Sequence, residues 1–327
     1  MLKGALMKRI YKTTYKGICG KCLENEQLKA IFLPDHGAKL CSLIRKDTGK
    51  EYVYQGKSET YRLAHYGQNY LEGECAGVDE MFPTIDAEFY RCRPWEGTYF
   101  PDHGELWARR WESISDDMML CMSIHSVKLP CILKKKVCLL DNKVHIEYEL
   151  TNLSEFPIDY IWAAHMMFHA EEGAYFEFDK DLSKAYVTMS DSGTIGSYGD
   201  IFTYPFAKCK DGGIYDIRMH RGEVANDYQK FYFAQKLTSE QGWGKIWYPD
   251  GSCLTVDFPA KELPYLGVVQ AEGGTLNLRC MFLEPCTGAF DSTSAARMHN
   301  MLSVLRQKET KKWYLNIEIA NGGGKNE

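Results

Sequence analysis

The stretch Val137–Thr151 constrains this chain more than any other. It reads VCLL, then Asp141-Asn142, then VHIEYELT, so Val144, Ile146, Tyr148 and Leu150 share one side of an extended chain with polar residues between them. A period of two belongs to a strand with one buried face, and the Asp-Asn pair supplies a tight turn, so the segment reads as a hairpin. The pattern recurs in IWYPDGSCLTVDF, where Asp250-Gly251 can supply the positive φ angles of a second turn. It recurs again in a late strand with Trp313, Leu315, Ile317 and Ile319 facing inward. Few segments longer than ten residues keep a helical period, so the chain is expected to be all-β. No Pro/Gly/Ser linker or charge block divides its 327 residues. Sandwiches outgrow the usual domain size, so one domain over 1–327 is expected: a large antiparallel β-sandwich with a minor helix and a disordered Gly-rich tail after about residue 320. PDHG occurs at 34–37 and again at 101–104, but the surroundings do not match over a repeat length.

Charge and cysteine usage remove several function classes. A net charge of -5 argues against a phosphate backbone as partner, and no apolar run approaches membrane-spanning length. The opening MLKGALMKRIYK has no continuous apolar core, so a cytoplasmic protein is expected. The 12 cysteines are scattered and read as reduced thiols. The single C-x-x-C, Cys19 to Cys22, has no second pair at zinc spacing, and no metal site is expected.

The chemistry concentrates in four islands. In MFLEPCTGAFDS, Met281–Ser292, the alternating lead-in Leu276, Leu278, Cys280 and Phe282 predicts a strand that carries Glu284 to its end, with Pro285 as the stop. Gly288 permits a tight return, Asp291 and Ser292 suit a helix N-cap, and Ala295, Met298, Leu302 and Leu305 mark one face of a short helix. Spacing alone favours the plainer reading of Glu284, a surface charge capping a loop. The other islands are CAGVDEMFP (75–83), FPDHGELWARRW (100–111) and IWAAHMMFHAEEG (161–173). Together they offer His103, His165 and Glu284, the minimum for paired acid and base work on a neutral substrate. His36, His65, His125, His145, His220 and His299 read as ordinary core or surface histidines, and His169 as a partner for His165 at most. A metal held by His165, His169 and Glu171 is disfavoured, because on a strand the two histidines alone would lie about 13 Å apart.

The order of these islands resembles the aldose 1-epimerase superfamily, with its galactose mutarotase-like fold, and within it the branch of hexose-6-phosphate mutarotases and LacX-like proteins. GVDEMFP, HGELWAR, HMMF, YLGVV (265–269) and EPCTGAFD (284–291) follow in the family's order, and GAKLCSL (37–43) is similar to its early strand. The resemblance implies a β-supersandwich whose concave face binds a small carbohydrate without a cofactor. It implies Glu284 as base toward the anomeric hydroxyl, His165 as acid toward the ring oxygen, and His103 near that oxygen. It also suggests Asp79, Glu80, Trp107, Arg109, His169 and Trp247 as substrate contacts. The chain departs from the family in placing Met166 where a Pro follows the histidine, and in lacking the preceding Asn. Asp79 and Glu80 stand where sugar-phosphate relatives carry basic residues, which implies an unphosphorylated sugar unless Arg109 or Arg110 compensates; either arginine could instead pair with Glu105 or Glu80. Two other readings fit the scaffold: a non-catalytic carbohydrate-binding or regulatory protein, and a sugar isomerase or lyase.

Overall fold

Turn chemistry sets the strand pairing seen in the structure, a computed structural model that describes residues 9–208 and 212–321. Asp141 takes φ +52 between the strands Cys131–Leu140 and Lys143–Asn152, which pair from Cys131↔Asn152 to Leu140↔Lys143. Gly251, at φ +79, returns Gln241–Trp247 into Ser252–Pro259. Both expected hairpins therefore form, and Trp313, Leu315, Ile317 and Ile319 are buried along Thr310–Asn321. The expected disordered tail lies, from residue 322 on, outside the described residues.

The hairpins assemble into two large antiparallel sheets. An eleven-stranded sheet runs in space from Arg9–Tyr15 through Ile18–Glu24, Leu28–Leu33, Lys39–Arg45, Val78–Met81, Ala163–His169, Leu278–Cys286, Tyr265–Gly273, Tyr228–Phe233 and Lys184–Ser190 to Ile201–Thr203. An eight-stranded sheet packs against it, with Thr310–Asn321 and Lys143–Asn152 at its centre. The core between them is built from alternate residues of each strand: Phe32, Val78, Met166, Met281 and Leu283 from one sheet meet Leu133, Val137, Ile146, Tyr148 and Ile317 from the other. Each such fully buried side chain contributes roughly 1.5–3 kcal/mol of transfer free energy. The all-β sandwich is thus established.

Alternation sends the remaining residues to the outer face of the larger sheet, which loops cover. Cys280 and Phe282 join Met167, Tyr70, Trp107 and Tyr228 in one apolar cluster. Met81, Ala163, Tyr232, Cys286 and Phe290 form a second with Ala295 and Ala296 of the helix.

Two local expectations fail. Pro285 does not end its strand, which pairs through Leu266↔Pro285 to Tyr265↔Cys286. On the other side, however, the ladder to Ala163–His169 shows Ala163↔Cys286 and Met166↔Leu283 with nothing between, because proline has no N–H to give. The helix is only Thr293–Met298, capped by Ser292 accepting from Ala295 N. Asn300 turns the chain at φ +57, Met298 is exposed, and Leu305 belongs to a short strand beside Ile158–Tyr160.

Candidate active site

One rung of the larger sheet carries the ionisable side chains. His165 pairs with Asp79 on the neighbouring strand, and the Met166↔Leu283 register places Glu284 opposite His165 on the other side. Beyond Glu284 come Gly267 and then Tyr232. The rung lies between the two apolar clusters of the outer face, so its charges are buried: Asp79 is 0% exposed, Glu284 1% and His165 6%.

Buried charges persist only when paired, and here they alternate in sign. Lys39 Nζ stands 3.0 Å from Asp79 Oδ2, Asp79 Oδ1 is 3.4 Å from His165 Nδ1, and His165 Nε2 is 3.9 Å from Glu284 Oε1. Lys230 Nζ is 3.7 Å from Glu284 Oε2 and donates to Asp291 Oδ1 at 2.6 Å, where the Tyr232 hydroxyl also donates at 2.8 Å. Burial opposes ionisation of Asp79, yet Lys39 and His165 hold its carboxyl well below the usual carboxylate range. Burial pushes the His165 imidazolium below its ordinary value against the pull of Asp79. Glu284 Oε2 is buried and accepts no hydrogen bond from the described residues.

His103 approaches from the loop above the rung. Its ring stacks on Tyr70 at 4.2 Å between centroids, and lies 5.0 Å from the His165 ring. Its Nδ1 donates to Asp102 Oδ1 at 3.0 Å, which leaves Nε2 for a ligand; Asp102 Oδ2 in turn accepts from Tyr70 N at 2.7 Å. His103 adopts φ +57, a left-handed conformation uncommon outside glycine. Gly104 follows at φ +73, and a Cβ there would meet Phe82 O at 2.1 Å, so only glycine lets this loop descend onto the site.

The structure therefore gathers Glu284, His165, His103 and Asp79, with Trp107 packed against Tyr70 just behind them. The other sequence candidates lie elsewhere. Glu80 points to the opposite face of its strand, into the core between the sheets, where Lys135 Nζ (2.7 Å) and the Tyr148 hydroxyl (2.8 Å) bind it. Asp79 is near the site but sealed from solvent, so neither carboxylate presents itself to a sugar. Arg109 donates to the His125 carbonyl at 2.6 Å and Arg110 pairs with Asp35, so neither meets Glu80 or Glu105. His169 is exposed at the far end of its strand, 3.8 Å from Glu171. Trp247 belongs to the other sheet and donates to Glu177 Oε2. Cys19 and Cys22, three apart on one strand, point to opposite faces and do not form a pair.

Sequence reasoning missed Lys39, Tyr70, Asp102 and Lys230, and took Asp291 only as a cap. Two signals were available: Asp102 directly precedes His103, and Lys230 alternates with Tyr232 in YQKFYF.

Comparison with known proteins bears on the fold. A family model described as a domain of unknown function, DUF5107, matches residues 8–96. No curated protein matches the chain. Among solved structures, a Klebsiella pneumoniae protein provisionally assigned as an aldose 1-epimerase superposes with a TM-score of 0.70 at 15% identity, covering 95% of this chain and 82% of that one. A galactose mutarotase related enzyme from Lactobacillus acidophilus gives 0.65 at 12% identity, over 93% and 98% of the two chains. The Slr1438 protein from Synechocystis sp. PCC 6803 gives 0.66 at 14% identity, over 98% and 99%. No helix among the described residues is long and apolar enough to cross a membrane. What these superpositions share is the architecture: the chain has the galactose mutarotase-like fold.

Proposed function

We propose that this protein is an aldose 1-epimerase-type isomerase that interconverts the anomers of an unphosphorylated sugar. The observation that carries the reading is the pair Glu284 Oε1 and His165 Nε2, 3.9 Å apart on adjacent strands. Mutarotation needs a base at the anomeric hydroxyl and an acid at the ring oxygen. Both oxygens are bonded to the same carbon, so the two groups must lie within a few ångströms of each other, as these do. Glu284 takes the hydroxyl proton while the His165 imidazolium gives one to the ring oxygen, and the C1–O5 bond breaks. Rotation about C1–C2 presents the other face of the aldehyde, and the reverse transfers close the ring. In this reading His103, oriented by Asp102, holds the same oxygen. The buried Glu284 Oε2, which accepts no hydrogen bond among the described residues, suits a carboxylate that receives one from a sugar hydroxyl.

The test is anomer exchange of purified pentoses and hexoses, followed by polarimetry or saturation-transfer NMR. Glu284→Gln preserves shape and removes the basic oxygen, and should cost at least ~10²-fold in rate while the protein stays folded. A variant that exchanges anomers as fast as the parent would overturn the assignment.

A further inference from the structure

We infer that Asp79, buttressed by Lys39 and Tyr70, is a positioning residue that keeps a proton on Nδ1 of His165 and so reserves Nε2 for the sugar. This rests on the acid role proposed for His165. Sequence comparison offered Asp79 as a sugar contact, but it is 0% exposed and separated from any ligand by the imidazole itself.

The direction of the hydrogen bonds carries the argument. The Tyr70 hydroxyl lies 3.1 Å from Asp79 Oδ2 and 3.1 Å from His165 Nδ1. A carboxylate can only accept, so the single Tyr70 proton goes to Asp79. The phenol oxygen can then only accept from Nδ1, and Asp79 Oδ1, 3.4 Å from the same nitrogen, can likewise only accept. Nδ1 therefore donates to the phenol oxygen and must carry hydrogen, with the Asp79 Oδ1 charge 3.4 Å away but outside hydrogen-bond geometry. Lys39 fixes the arrangement from behind: its ammonium holds Asp79 Oδ2 at 3.0 Å and donates to the Glu74 carbonyl at 2.7 Å. Buried beside a lysine, Asp79 remains a carboxylate throughout the working range and never offers the proton that would reverse the tautomer.

The consequence for catalysis is twofold. With Nδ1 protonated, neutral His165 presents a lone pair at Nε2 and protonated His165 presents N–H there, so one nitrogen both gives and retrieves the ring-oxygen proton. The charge of Asp79 also stabilises the imidazolium that burial disfavours. Other groups acting on His165 are Glu284, which favours the imidazolium as Asp79 does, and His103, which opposes it. Lys39 and Lys230 stand one group further away, each behind a carboxylate. Asp102, bound to His103, lies beyond that ring.

The experiment is 15N NMR of the imidazole nitrogens across a pH titration of the full chain, in parallel with pH–rate profiles for the parent, Asp79→Asn and Tyr70→Phe. The expected parent spectrum shows neutral His165 with hydrogen on Nδ1. In Asp79→Asn the hydrogen should move to Nε2 and the His165 titration to lower pH. The alkaline limb of kcat should follow it, and KM should change less than about twofold because Asp79 does not touch the sugar. Tyr70→Phe keeps the ring beneath His103 and should shift the titration in the same direction by less. Should Asp79→Asn fail to fold, the parent tautomer and the Tyr70→Phe titration still decide. Hydrogen on Nε2 in the neutral parent, or variants with unchanged tautomer and titration, would overturn the inference. The NMR readout needs no turnover, so a protein with the expected tautomer but no anomer exchange would refute the proposed function and leave this inference standing.

Discussion

Gly267 faces Glu284 across paired strands so closely that a Cβ on the glycine would lie 2.9 Å from Glu284 Oε2 and 2.7 Å from Tyr232 Cε1. The missing side chain is what allows Glu284 and Tyr232, on the strands to either side, to lean together over the middle one. Gly267→Ala is therefore expected to displace the carboxylate rather than fill a void. Overpacking of this kind costs roughly 1–3 kcal/mol. Denaturant unfolding should register that loss, and anomer exchange should fall well beyond the fraction unfolded. Full activity in the alanine variant would show that the position of Glu284 is not critical.

Lys230 supplies the cation between Glu284 and Asp291, 3.7 Å from Glu284 Oε2 and 2.6 Å from Asp291 Oδ1. Burial opposes its charge, but Asp291 and Glu284 together raise its ammonium above the ordinary lysine value. Lys230→Met leaves two buried carboxylates facing each other without the cation between them, and removing one partner of a buried ionic cluster costs about 3–5 kcal/mol. Urea unfolding should register that loss, and anomer exchange per folded molecule should fall because Glu284 loses its neighbour at 3.7 Å. An exchange rate per folded molecule equal to the parent's would separate Lys230 from the base.

His165 sets the alkaline limb of the rate profile. Burial lowers its imidazolium from 6.5, and Asp79 only partly restores it. A donor must be protonated, so kcat/KM should begin to fall as pH rises through a value below 6.5. The sign is opposite to that of a carboxylate base, whose limb lies on the acid side, and the two together give a bell. If a His165→Asn variant with measurable residual activity keeps the parent's alkaline limb, another group carries the acid role.

Glu80 and Lys135 form a buried pair with 1% side-chain exposure on each partner, in the core and away from the rung. Glu80→Gln leaves the lysine charge uncompensated, and breaking such a pair from one side costs about 3–5 kcal/mol. The variant should lose that stability in urea, yet turn over at the parent rate per folded molecule. A selective loss of activity without loss of stability would return Glu80 to the site.

The contrast between Asp79 and Glu80 shows what the sequence could and could not reveal. Period-two alternation made Val144, Ile146 and Tyr148 readable as a buried face, and the order of motifs pointed to His103, His165 and Glu284. Adjacent carboxylates on a strand must point to opposite faces, but which of the two met the outer face depended on pairing with a strand more than eighty residues away. Lys39 and Lys230 reach the rung from other strands; the alternation in YQKFYF puts Lys230 on the same face as Tyr232, but nothing local there or in GAKLCSL says that this face meets Glu284. Pairing register is a property of the whole sheet, so the fold was legible early and the second half of the charge network was not.

Preference for a neutral sugar now rests on other residues than the sequence suggested. Since Asp79 and Glu80 face no ligand, the relevant carboxylates are Glu284, Asp291, Asp102 and Asp86, with the ammonium of Lys230 among them. Burial and then Asp291 push the Asp86 carboxyl up to about 6, while Lys230 and His103 pull it down. Two like charges ~4 Å apart repel by about 4 kcal/mol at an effective dielectric of 20. Arg109, the cation that could have offset this, is engaged with the His125 carbonyl. A hexose or pentose should therefore bind more tightly than its 6- or 5-phosphate, and the gap should narrow as added salt screens the repulsion. Asp86→Asn should narrow it further by removing one of the charges. Isothermal titration of matched sugar and sugar-phosphate pairs decides the point: tighter binding of the phosphate would sink the neutral-sugar reading and point to a phosphorylated substrate.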